Sequence, residues 1–121
     1  MKDSILYSKS MDFAVRCVKF YKYLTDEKKE FVLSKQMLRS GTSIGANIRE
    51  SRFAQSEADF VSKLSIALKE AEETQYWIEL LFNAEIISEN EYKSIYGDSG
   101  EMIALLLSSL KTYKTNNINN N

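Results

Sequence analysis

The 121-residue chain contains no proline, and glycine occurs only at positions 41, 45, 97 and 100. A β-sandwich or barrel turns about every 8–12 residues and marks its turns with these two residue types. Long helices need few such breaks, so the scarcity of breakers points to an all-α chain. The length suits a single domain. A composition 44% apolar and 27% charged is enough to build a core and is not that of a disordered chain.

Hydrophobic periodicity predicts four helices at 4–24, 30–54, 57–83 and 89–114. Ser56 followed by Glu57 and Asp59 opens the third helix with a hydroxyl cap and acidic first turn, and Ser88 with Glu91 forms a capping box for the fourth. The connections are short and polar, which makes successive helices antiparallel neighbours. The expected fold is a single up-down-up-down four-helix bundle over residues 1–114, followed by a disordered, Asn-rich tail at 115–121. Core rows at four-three spacing are Tyr7, Met11, Ala14, Val18 and Tyr21 in the first helix and Met37, Gly41, Ile44 and Ile48 in the second. The third contributes Phe60, Leu64, Ala67 and Ala71, with Leu68, Ile78 and Phe82 beside them. The fourth contributes Tyr92, Ile95, Ser99, Met102, Leu106, Leu110 and Tyr113.

A second apolar row on the first helix, Leu6, Phe13, Cys17, Phe20 and Leu24, lies about 120° from the first. One core needs an apolar arc of about 100°, and this helix offers roughly twice that. Ile66, Trp77 and Leu80 lie opposite the core row of the third helix. A broader core would absorb some of these residues. The preferred expectation is that they contact other subunits of a homo-oligomer.

Gly41 and Gly45 admit two interpretations. Gly41 ends a helix and Ser43 caps another, or the helix continues and the glycines let a neighbour approach closely. The row Met37, Gly41, Ile44, Ile48 keeps its phase across them, which favours continuity. Gly97 and Gly100 pose the same question in the fourth helix, where the phase also survives and a kink is compatible with the pattern.

Charge is unevenly divided. Residues 1–55 carry eleven Lys/Arg against six Asp/Glu, and residues 56–121 carry five against eleven, so a +5 half precedes a −6 half. Lys28, Lys35, Arg39 and Arg49 fall within an arc of about 80° on the second helix. With Lys9, Arg16 and Lys19 of the first helix they form a candidate phosphate-binding face. A solvated charged face, or attraction between the halves of neighbouring subunits, accounts for the same residues. A net charge of −1 and a pI near 5.6 count against nucleic-acid binding.

Catalytic chemistry finds little support. The absence of histidine removes His-dependent triads and HExxH zinc sites. The single cysteine, Cys17, rules out an internal disulfide and lies on an apolar row, as an inert buried thiol would. Glu70, Glu72, Glu73 and Glu79 make an acidic stretch with no EF-hand pattern. The expectation is a protein with no enzymatic activity, cofactor or metal. The start Met1-Lys2-Asp3-Ser4 lacks secretory-signal character, and no apolar run approaches the ~20 residues of a membrane span. A cytoplasmic protein is expected.

The segments FAVR at 13–16, LSKQMLRSGTSIGANI at 33–48, DFVSKLSIALKEA at 59–71 and ETQYW at 73–77 closely resemble the bacterial four helix bundle protein family, also called the 23S rRNA-intervening-sequence protein family. The match covers about residues 5–83 and is most specific in the second and third helices. The resemblance implies an up-down bundle assembled as a homopentameric ring. Some members are encoded within intervening sequences of large-subunit ribosomal RNA genes. A relative, the accessory variability determinant of diversity-generating retroelements, is a basic pentamer that binds nucleic acid and a reverse transcriptase. Two functions are expected: a non-catalytic oligomer that binds ribosomal RNA or another nucleic acid, or a scaffold for a protein partner.

Overall fold

The computed structural model describes the backbone of residues 2–119 and the side chains of 5–113. Four helices follow one another: α1 Lys2–Asp26, α2 Leu33–Ser51, α3 Glu57–Asn83 and α4 Glu89–Asn119. Each packs against the next and α4 returns to α1, so the helices form a four-sided bundle in which α1 and α4 touch least. The Asn-rich tail expected to be disordered from 115 is helical through Asn119, and residues 120–121 lie outside the described residues.

Local chemistry accounts for the ends. Ser56 Oγ accepts from Asp59 N at 3.1 Å and caps α3. At α4, Ser88 Oγ accepts from Glu91 N at 3.1 Å while Glu91 Oε1 accepts from Ser88 N at 2.7 Å, the reciprocal capping box. The predicted start of α2 at 30 is three residues early. Glu30 lies outside the helix, and its carboxylate accepts from the backbone N–H groups of Val32, Leu33 and Ser34 at 3.1, 3.0 and 2.6 Å. At the other end, Arg52, Phe53 and Ala54 make tight three-residue bonds to Arg49, Glu50 and Ser51, so α2 stops at Ser51, not 54. After α3, Glu85 takes a left-handed φ of 63°. There, Glu85 N–H bonds to Phe82 O and Ile86 N–H to Leu81 O, a Schellman ending.

The core rows expected in α2, α3 and α4 lie inside or against the core. The row expected in α1 does so only in part: Tyr7 and Tyr21 pack half-buried against the core, but the residues between them do not follow. Met11 is 50% and Val18 37% exposed, whereas Leu6, Phe13, Cys17 and Leu24 are buried in the core. The cause lies on α2, which is continuous across its glycines. A Cβ on Gly41 would stand 3.1 Å from Cys17 Cβ and closer still to Cys17 Sγ, and one on Gly45 would stand 3.4 Å from Ser10 Oγ. The helices meet where Gly41 and Gly45 face the small residues Cys17 and Ser10, seven positions apart on α1. This contact turns Cys17 inward together with Leu6, Phe13 and Leu24, and leaves Met11 and Val18 exposed.

Buried polar groups are satisfied within this frame. Thr74 Oγ1 lies 2.9 Å from Ser40 Oγ and 2.8 Å from Glu70 O, linking α2 to α3. Ser10, Ser51 and Ser99 donate back to carbonyls of their own helices. Thr42, Ser43 and Asn47 do the same toward Leu38, Arg39 and Ser43. Helix α4 passes Gly97 and Gly100 without a break, and neither has a positive φ.

Candidate nucleic-acid and association surfaces

The seven basic residues singled out from the sequence do not form one face. Lys9 and Arg16 point from α1 toward α4: Lys9 Nζ lies 3.1 Å from Glu101, and Arg16 pairs with Asp98 while Arg16 Nη2 donates to Ser94 Oγ at 2.7 Å. Hydrogen bonding and the charge of Glu101 hold the Lys9 ammonium above its ordinary pKa. Arg39 turns the other way, onto α3, pairing with Glu73 and with Glu70 at 3.3 Å. Trp77 Nε1 donates to the same Glu73 carboxylate at 3.1 Å. Lys28 lies 5.8 Å from the Tyr23 ring centroid. Lys19 and Lys35 are exposed and make no ion pair among the described residues, and the same holds for Lys22. Three of the expected cations are thus already neutralised by carboxylates of the acidic half, inside one chain.

The expected oligomer contacts also redistribute. Leu6, Phe13, Cys17 and Leu24 belong to the chain's own core, and Phe20 packs against it half-buried. The four buried residues offer no surface to a partner, while Phe20 keeps part of its ring at the surface. Burial pushes the Cys17 thiol up to about 12, as expected of an inert group. On α3, Ile66 is exposed, while Trp77 is half-buried against the core and Leu80 is also half-buried. The outward apolar row of α1 is instead Met11, Val15 and Val18, with Val15 46% exposed.

A cluster at the α2–α3 turn escaped the sequence-based expectations. Both Arg49 and Arg52 lie over the Tyr7 ring, with guanidinium carbons 5.4 and 4.5 Å from its centroid, and Arg49 Nε donates to Tyr7 Oη. Burial alone would raise the Tyr7 phenol, but hydrogen bonds and charges from the two arginines outweigh it and hold the group below its ordinary pKa. Phe53, the next residue, is 80% exposed. Beside it opens a cavity of about 640 Å³ with Leu6, Ile48, Phe60 and Leu64 among its apolar lining and Arg52, Glu57 and Tyr113 among its polar lining. Tyr113 Oη is buried near Glu57, and burial, followed by the charge and hydrogen bonding of the Glu57 carboxylate, pushes its pKa up.

Among the described residues no three or more His, Cys, Asp or Glu side chains are placed to hold a metal ion, and no helix is long and apolar enough to cross a membrane. The four helices and their shared core define a four-helix bundle. Its sequence matches the family model of the 23S rRNA-intervening sequence protein over residues 2–108, and the chain belongs to that family. It is similar to a crystal structure of a protein of unknown function from the S23 ribosomal protein family of Bacteroides thetaiotaomicron. The two share 60% identity and a TM-score of 0.90, over 92% of this chain and 99% of that one. No curated protein matches the chain.

Proposed function

We propose that the chain acts without catalysis, in the cytoplasm, as a subunit of a homo-oligomeric ring whose repeated surface binds ribosomal RNA or another nucleic acid. The ring size of five rests on the family resemblance alone. The observation that carries the association is the outward row Met11, Val15, Val18, three apolar side chains 37–50% exposed on one helix face. Support for the nucleic-acid half comes from Lys19, Lys22 and Lys35, which make no ion pair among the described residues and which repetition around a ring would multiply. A protein-binding scaffold remains the second reading, supported by the exposed Glu72 and Glu79 of α3.

Sedimentation equilibrium at micromolar protein tests the association. Wild type should be an oligomer, and Val15→Glu should be a monomer with unchanged helicity. A monomeric wild type refutes the ring. A gel-shift series with ribosomal RNA fragments tests the binding, which should weaken steeply with salt and disappear when Lys19, Lys22 and Lys35 are all replaced by glutamate. Absence of a shift at low salt rejects the nucleic-acid half and favours the scaffold.

A further inference from the structure

We propose that the α2–α3 end of the bundle is a single-stranded nucleic-acid site in which Phe53 stacks on a base and Arg49 and Arg52 hold the adjoining phosphates. The assignment rests on the nucleic-acid half of the function proposed above and places it on residues other than Lys19, Lys22 and Lys35.

Four arginines occur in the chain. Arg16 and Arg39 are engaged by carboxylates, whereas Arg49 and Arg52 have no carboxylate partner among the described residues. Both are ordered against one aromatic ring, at 5.4 and 4.5 Å, and both remain exposed. A guanidinium stacked on a ring keeps in-plane N–H donors for a phosphate, and its side-chain entropy is largely lost before the ligand arrives. Phe53 follows directly in the chain and projects 80% exposed. It contributes nothing to the core, so folding gains little by keeping an aromatic there. Aromatic side chains beside cations that track the backbone are how proteins hold single strands without reading sequence.

The adjacent cavity fits a base better than a phosphate. Its volume of about 640 Å³ and the apolar side chains of Leu6, Ile48, Phe60 and Leu64 in its lining suit a planar ring. Glu57 on the same wall repels phosphate, which keeps the backbone on the arginine side. A duplex, with its bases stacked internally, cannot present a ring to Phe53 or to the cavity.

Fluorescence anisotropy with a labelled 12-nucleotide oligoadenylate and a 12-base-pair duplex RNA tests the site in the full-length protein. Phe53→Ala should weaken oligoadenylate binding about tenfold and leave its salt dependence unchanged, because no charge is removed. Replacing Arg49 and Arg52 together with alanine should reduce the salt slope by roughly 1.4, about 0.7 per lost phosphate contact. Urea unfolding of each variant reports its folding, and Phe53→Ala, at an exposed position, should unfold as wild type does. Binding that survives Phe53→Ala, or that prefers the duplex, overturns the site while leaving the nucleic-acid reading standing. No binding of either RNA at low salt overturns both.

Discussion

Helix α1 is held on its two sides by different means. Toward α2 it is held by close approach, with Cys17 and Ser10 seated against Gly41 and Gly45. Toward α4 it is held largely by charge, through Lys9 with Glu101 and Arg16 with Asp98. The first side is dry and intolerant of volume. The second is partly solvated: the side chains of its ion pairs are 36–52% exposed, a setting in which such pairs contribute little. The close side therefore sets the rotation of α1 about its own axis, and the charged side follows from it. Rotation decides which row becomes core and which meets solvent, so the glycines of α2 determine the surface that α1 offers to partners.

Adding volume to the close side should have the largest effect. Gly41→Ala places a methyl group against Cys17 and should cost about 2–3 kcal/mol in urea unfolding. Cys17→Ala in the same chain should return part of that loss, giving a coupling of about 1 kcal/mol or more in the double-mutant cycle. Strictly additive losses would mean the two residues do not meet.

Removing the α2 cap tests a feature independent of either side. Glu30→Gln should cost about 1 kcal/mol. Its acid dependence is specific. Burial alone would raise the Glu30 pKa, yet three backbone N–H groups outweigh it and hold the group below the ordinary carboxylate value. A lowered native pKa gives stabilisation that is complete above the unfolded value and lost as pH falls through the native one. Glu91, lowered by Ser88 and Tyr23 against the opposing effect of burial, behaves alike. Stability measured from neutral pH into the acid range should therefore fall less steeply in Glu30→Gln than in wild type. Equal slopes would remove Glu30 from the account.

Gly97 offers a contrast to Gly41, because a Cβ there meets nothing within 4 Å. Gly97→Ala should stabilise α4 by just under about 1 kcal/mol, seen as a higher urea midpoint. Asp98→Asn on the charged side should have the smallest effect, about 0.5 kcal/mol, shrinking further in molar salt. A loss above about 2 kcal/mol would show that charge orients α1 after all.

The contrast also explains what was legible in the sequence. Ser56 and the Ser88–Glu91 box could be read because a cap is made by residues three apart. The rotation of α1 could not be read from α1 alone, since both rows are apolar. The signal was the spacing of Ser10 and Cys17, small residues seven apart, matched to glycines on another helix. The charges were legible but their partners were not, because Arg16 and Asp98 lie 82 positions apart. Arg52 and Phe53 were missed because extending α2 to 54 hid the tight turn that lifts Phe53 into solvent.

Reaction of the single cysteine with a thiol reagent, followed across protein concentration, tests the orientation of α1 most directly. Cys17 has no exposed surface within one chain, so its protection belongs to the folded subunit and not to an assembly. Its labelling should be slow in native protein, independent of concentration from nanomolar to tens of micromolar, and accelerated only by denaturant that unfolds the bundle. Labelling that speeds up on dilution would place Cys17 between subunits and contradict the account.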